Sequence, residues 1–180
     1  MNDDFPILAA VAANPTHPYA LLEHLQSCGL PVTRSTLYRR VEALVAQGWL
    51  DADDIRGESG HYRRALTLSK QGRDRVTAEA RDVVDSEALE SPVFSLAVAV
   101  LGQGGVQVLA KALKPRMSAA ARQLTSEERT LRTNSAEDWS VAAKERRIAH
   151  LQADLSWLQG LMGRRLVVTG RTDQSMPRAS

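Results

Sequence analysis

Thr33-Arg34-Ser35-Thr36-Leu37-Tyr38-Arg39-Arg40-Val41-Glu42-Ala43-Leu44-Val45 is the stretch on which the reading of this chain turns. Leu37, Val41, Leu44 and Val45 recur at i, i+4, i+7 and i+8, which is one buried stripe on a helix. Thr33 is a good N-cap, because its hydroxyl can accept from a backbone N–H of the first turn. At about 100° per residue, Ser35 and Arg39 fall opposite the stripe. Thr36, Glu42 and Ala43 border them, and Tyr38 and Arg40 lie on the two flanks. The exposed face therefore carries small hydroxyls and arginines near the start of the helix.

Upstream, His17-Pro18-Tyr19 opens a second helix with Tyr19, Leu21, Leu22 and Leu25 as its apolar positions. Cys28-Gly29 ends it, and Leu30-Pro31-Val32 turns the chain. A short apolar segment, Phe5 to Ala13, comes first; Pro6 suits a first helical turn and Asn14-Pro15 stops it. Downstream, Gly48 closes the Arg-bearing helix, and Trp49 to Ile55 reads as a strand. Gly57-Glu58-Ser59-Gly60 is a hairpin turn, from which His61 to Leu68 returns as a second strand. Arg56, His61, Arg63 and Arg64 lie at the tip and on the returning strand. Asp51, Asp53 and Asp54 on the outgoing strand would be repelled by a polyanion, so they should turn away from it or pair with arginines. Ser69 caps a further helix that runs toward Glu90, and Pro92 marks a boundary.

Helix, turn, Arg-bearing helix and basic hairpin, in that order, imply a module that reads DNA. The Arg-bearing helix would present its N-terminal part to base edges, and the hairpin would meet backbone phosphates. The residues expected at such an interface are Arg34, Ser35, Thr36, Tyr38, Arg39, Arg40, Arg56, His61, Arg63 and Arg64. Bulk charge adds little, because the net charge is only +2. Arginine supplies 19 of the 23 basic side chains, and its planar fork suits phosphates and guanine edges. A GC-rich coding bias would produce the same imbalance.

Beyond Pro92 the pattern is helical throughout. Phe94 to Leu101 is apolar, Gly102-Gln103-Gly104-Gly105 breaks it, and Val106 to Leu113 resumes. Lys114-Pro115-Arg116 should interrupt that segment before a polar helix from Met117 to Arg132. In the last helix Val141, Ile148, Leu151, Leu155, Leu158 and Met162 follow heptad spacing. A seam this regular is expected to pair with a second copy through Ile148, Leu151, Leu155, Leu158 and Met162; the competing reading packs it on helices of the same chain. Trp139 and Trp157 are candidates for an effector pocket in this half. Domains are expected at residues 1–90, 91–170 and, as a polar tail, 171–180.

The 43% hydrophobic, 24% charged composition excludes a disordered chain. The single cysteine, Cys28, forms no internal disulfide and reads as a buried, inert thiol, which suits a reducing cytoplasm. The acidic start and the lack of a long apolar run point to a soluble protein with no membrane span. Catalytic chemistry is not signalled. The four histidines are scattered and no metal-ligand spacing occurs, so neither metal nor cofactor is expected. Gly102-Gln103-Gly104-Gly105 follows a helix rather than a strand, which does not support a dinucleotide loop.

His17-Pro18-Tyr19, Ser35-Thr36-Leu37-Tyr38-Arg39, Gly48, and Arg63-Arg64 through Leu66-Thr67-Leu68-Ser69-Lys70-Gln71-Gly72 together resemble the PadR family of bacterial transcription regulators over roughly residues 5–75. Leu155-Ser156-Trp157-Leu158 looks like the Trp-containing stretch of that family's final helix. The resemblance implies a mainly α fold with a small β-hairpin wing: a winged helix-turn-helix followed by a C-terminal helical dimerisation domain. It also implies a homodimeric repressor of neighbouring genes, often released by a phenolic or other small hydrophobic effector. Two copies about a two-fold axis would enter successive major grooves of double-stranded DNA, so an inverted-repeat operator is expected, and the location expected is cytoplasmic. The competing expectation is a winged-helix protein-interaction module that has lost DNA binding.

Overall fold

In the computed structural model, residues 4–14, 16–56, 62–133 and 139–163 are described, with only the backbone of Ile55, Arg56, Tyr62 and Arg63. The elements run α1 (Phe5–Ala13), α2 (Pro18–Ser27), α3 (Arg34–Ala46), β1 (Leu50–Arg56), β2 (Tyr62–Leu68), α4 (Lys70–Ser86), α5 (Pro92–Gln103), α6 (Val106–Thr133) and α7 (Trp139–Gly163). The expected fold class is the observed one: a winged helix-turn-helix followed by C-terminal helices.

α1 is apolar all round, and such a helix has to be enclosed. Phe5, Ile7, Leu8, Ala9, Ala10 and Val11 are all buried, and α2, α4, α5 and β2 surround them. The stripe on α3 behaves as its spacing requires, with Leu37, Val41 and Leu44 almost inaccessible. Each such side chain contributes about 1.5–3 kcal/mol by leaving water. β1 and β2 pair antiparallel, Leu50 with Leu68 and Ala52 with Leu66. Leu50, Leu66 and Leu68 are buried, so one face of the hairpin base closes the core under α3.

Two features of the hairpin base were not apparent from sequence. Thr16 makes a bridge with Leu66, donating at 3.2 Å and accepting at 2.7 Å, so the segment before α2 extends the sheet edge. Gly72 packs flat on the chain between α3 and β1: a Cβ there would lie 2.0 Å from the carbonyl oxygen of Trp49. Ser69 ties the same junction, donating to Gly48 O at 2.7 Å and accepting from Gly72 N–H at 3.0 Å. Arg75 covers its outer side, 3.2 Å above the Trp49 ring centroid.

α5 packs on α4 and α1, so the core runs without a gap from the winged helix into the C-terminal helices. The glycine break falls where expected, with Gly105 at φ 92° between α5 and α6. Pro115 does not interrupt the chain as expected. α6 is continuous through it. Proline's missing N–H and ring clash weaken one turn only, and Pro115 is exposed, while Leu113 before it is fully buried and Met117 after it packs on the core. Packing on both sides outweighs the local cost.

α7 returns alongside α6. Arg147 donates to Glu127 at 3.0 Å and Gln152 to Glu128 at 3.4 Å. The leucine seam thus finds its first partner within the chain: Leu158 is fully buried in the core, and Ile148, Leu151, Leu155 and Met162 are half-buried. Trp157 sits against Phe94 of α5, ring centroids 6.2 Å apart. Burial, joined by the nearby charge of Glu90, pushes the Asp154 carboxyl above its usual range, while His150 and Arg116 oppose the shift. Cys28 is half-buried rather than buried, because it caps the exposed end of α2.

Candidate nucleic-acid interface

The interface is built from the two helices joined by the tight turn. His17 caps α2 with its side chain, Nδ1 accepting from Ala20 N–H at 3.1 Å. At the other end Leu30 N–H reaches Leu25 O at 3.0 Å, and Gly29 adopts φ 82°, which a side chain would strain. Gln26 bridges the turn to Val32 O at 3.0 Å. Thr33 then caps α3, its hydroxyl oxygen accepting from Thr36 N–H at 3.3 Å and lying 2.9 Å from the Thr36 hydroxyl. These bonds fix where α3 starts, and so fix which side chains its first two turns present.

Arg34, Ser35, Tyr38, Arg39, Glu42 and Ala43 are exposed on α3, opposite the buried stripe. The Arg34 guanidinium lies 5.5 Å from the Tyr38 ring centroid, so the flat cation rides beside the exposed ring. Thr36 is half-buried and engaged with the cap. Arg40 points elsewhere: it pairs with Asp4 at the start of α1 at 2.7 Å, with both side chains largely covered. Arg64 reaches from β2 to Glu42 of α3 and pairs with it. In the strand register Arg64 stands opposite Asp54, Arg63 opposite Ile55, and Arg56 opposite Tyr62. His61 and the turn at residues 57–60 lie outside the described residues.

Sequence reasoning missed Tyr19, because its place in the apolar pattern of α2 read as core. It is 55% exposed, next to Tyr38 across an open hollow that also touches His17 and Glu23. A hydrogen bond to Glu23, and that carboxylate's charge, hold the Tyr19 phenol above its usual range, with Arg34 opposing. It therefore stays a neutral donor on the same side as Arg34 and Tyr38.

The two tryptophans of the expected effector site do not meet. Trp157 is at the core end of α7, whereas Trp139, 88% exposed, is eighteen residues away, some 27 Å along the same helix. A single chain therefore does not enclose one pocket with both. A largely apolar groove of about 490 Å³ lies instead between the winged helix and the C-terminal helices, lined in part by Val11, Leu68, Val76, Val100 and Leu101. Among the described residues no group of His, Cys, Asp or Glu side chains is placed to hold a metal ion.

No curated protein matches the sequence. Among solved structures the chain is similar to Bacillus subtilis PadR in complex with operator DNA, at 12% identity and a TM-score of 0.39, over 89% of this chain and 96% of that one. Residues 7–78, from within α1 to the first half of α4, match the sequence profile of the transcriptional regulator PadR-like family. The helix-turn-helix, the hairpin wing and the motifs that join them all lie inside that span, so over these residues the chain is similar to the transcriptional regulator PadR-like family.

Proposed function

We propose that the protein is a homodimeric, sequence-specific DNA-binding repressor without enzymatic activity, acting in the cytoplasm. The observation that carries the reading is the exposed first half of α3, where Arg34, Ser35, Tyr38 and Arg39 stand clear of the core beside an Arg-bearing hairpin. α3 enters the major groove, Arg39 reads a base edge, and Arg56, His61, Arg63 and Arg64 serve the flanking phosphates. Arg40 contributes by holding α3 against α1. No helix among the described residues is long and apolar enough to cross a membrane. The winged helix of residues 1–90 is the DNA-binding unit and residues 91–170 pair two copies; the expected tail, 171–180, lies outside the described residues.

Because α6 already covers part of the leucine seam, a second copy adds to the seam's open margin at Ile148, Leu151, Leu155 and Met162 and to the adjoining surface of α7. Two recognition helices related by a two-fold axis must enter successive major grooves, roughly 34 Å apart, so the operator is an inverted repeat with half-sites about 10 bp or a multiple apart. A small hydrophobic or phenolic effector would act by binding the free and DNA-bound forms unequally, and the groove beside α1, β2 and α5 is the space that supports this.

A second reading, a winged-helix module that binds protein instead, is favoured by the two ion pairs that engage Arg40 and Arg64. A gel-shift titration of DNA upstream of the chain's own gene, over a salt series, separates the two. A regulator gives a shift whose affinity falls steeply with salt. No shift at any salt selects the protein-binding reading. Sedimentation of the same preparation as a ~20 kDa monomer that still binds tightly would reject the dimer and the palindrome.

A further inference from the structure

Glu42 is the one acidic side chain on the exposed face of α3, and on a helical wheel it lies close to Ser35, at the centre of that face. A carboxylate there opposes approach to a polyanion unless something answers its charge. In this structure Arg64 does, reaching across from β2, and the pair is solvent-accessible on both sides, 37% for Arg64 and 59% for Glu42. Exposed pairs of this kind are worth little and exchange partners readily. While it holds Glu42, the Arg64 guanidinium is not available to a phosphate. A carboxylate in the major groove has one good base partner, the N4 amino group of cytosine.

We propose that Glu42 is a specificity-determining residue: it withholds Arg64 from DNA in general, and releases it to a phosphate only where a cytosine amino group replaces the guanidinium. On a mismatched sequence one of two costs is unavoidable. Either the pair stays intact and one phosphate contact is missing, or the pair breaks and Glu42 faces the groove unanswered. On a matching sequence both groups are satisfied at once. The inference rests on the DNA-binding reading above and names the base class that its recognition helix prefers.

The test compares wild type, Glu42→Gln, Arg64→Ala and the double variant, first on a random-sequence duplex and then by selection from a randomised pool. Glutamine keeps the shape of the side chain at an exposed site and removes the charge, and circular dichroism melts confirm that each variant folds. Glu42→Gln should bind the random duplex about three- to ten-fold more tightly at low salt, and its salt slope should steepen by about one phosphate. In the Arg64→Ala background the same change still relieves an unanswered carboxylate, but it should steepen the salt slope by clearly less, because no guanidinium is left to release to a phosphate. Wild type should enrich cytosine at one position of each half-site, and Glu42→Gln should lose that preference. An equal steepening of the salt slope in the Arg64→Ala background would overturn the proposal, since the effect would then be plain repulsion. Unchanged binding by Glu42→Gln, or an unchanged cytosine preference, would overturn it as well. A wild type that binds no duplex and enriches no sequence would instead refute DNA binding itself, and this inference with it.

Discussion

Gly72→Ala tests the joint between the recognition helix and the wing. Ordinarily the change favours a helix by about 1 kcal/mol, since alanine loses less backbone freedom on folding. Here the added Cβ would meet the Trp49 carbonyl oxygen at 2.0 Å, its carbon at 3.0 Å and the Leu68 Cδ2 at 3.3 Å. Ordinary contact begins near 3.4 Å, so the backbone at Trp49 must withdraw by more than 1 Å. It is not free to do so. Trp49 O accepts from Ser69 N–H at 3.2 Å, Trp49 N–H donates to Leu44 O at 2.9 Å, and Ser69 holds Gly48 O at 2.7 Å. Overpacking of this kind costs about 1–3 kcal/mol, and each strained hydrogen bond about 1 kcal/mol more. With all three bonds strained and after the helix gain, the net loss should be about 3–5 kcal/mol, or roughly 6–20 °C in Tm for a chain of this size. Urea unfolding followed by tryptophan fluorescence measures it. Gly160→Ala is the control, because nothing lies within 4 Å of its added Cβ, and it should leave stability equal or raised. A Gly72→Ala protein as stable as wild type would show that the α4–β1 approach is not the constraint argued here.

Arg39→Ala should cost about 1–3 kcal/mol of operator binding and relax base preference, whereas Arg40→Ala should lower the melting temperature and leave the salt slope of DNA binding unchanged. The pair of fluorescence-anisotropy titrations fails this reasoning if Arg40→Ala flattens the slope. Leu158→Ala should destabilise by about 2–5 kcal/mol in denaturant titrations, and half-buried Ile148→Ala by clearly less. Equal losses would mean that the seam is not anchored in the core at Leu158. Asp154 has a folded pKa above its unfolded value, so its ionised form opposes folding. Asp154→Asn should therefore stabilise at neutral pH, with the advantage shrinking as pH falls through the raised pKa toward the ordinary carboxylate range. Thermal melts that show the same gain at every pH would assign the effect to packing.

Local chemistry made much of this protein legible in its sequence. The stripe Leu37, Val41 and Leu44, the hydroxyl caps Thr33 and Ser69, and the glycines at the ends of α2 and α3 are all relations among residues a few positions apart. Each fixes a helix end, a face or a turn without knowledge of the rest of the chain, and together they set the order helix, turn, helix, wing. That order, with its motifs, was enough to point to the family. What tertiary structure alone decided is which partner each face meets. The period of a helix reports that a stripe must be buried, not what buries it, so the heptad seam of α7 was open between a second copy and α6; the fold lays α6 alongside α7 and buries Leu158 in the chain's own core, leaving the rest of the seam half-exposed. The pairing of Arg40 with Asp4, thirty-six positions apart, and of Arg64 with Glu42, twenty-two apart, is likewise invisible to spacing. Sequence supplies the charge of an arginine; only the fold brings a carboxylate within reach, and thereby decides whether that charge braces the helix or faces outward.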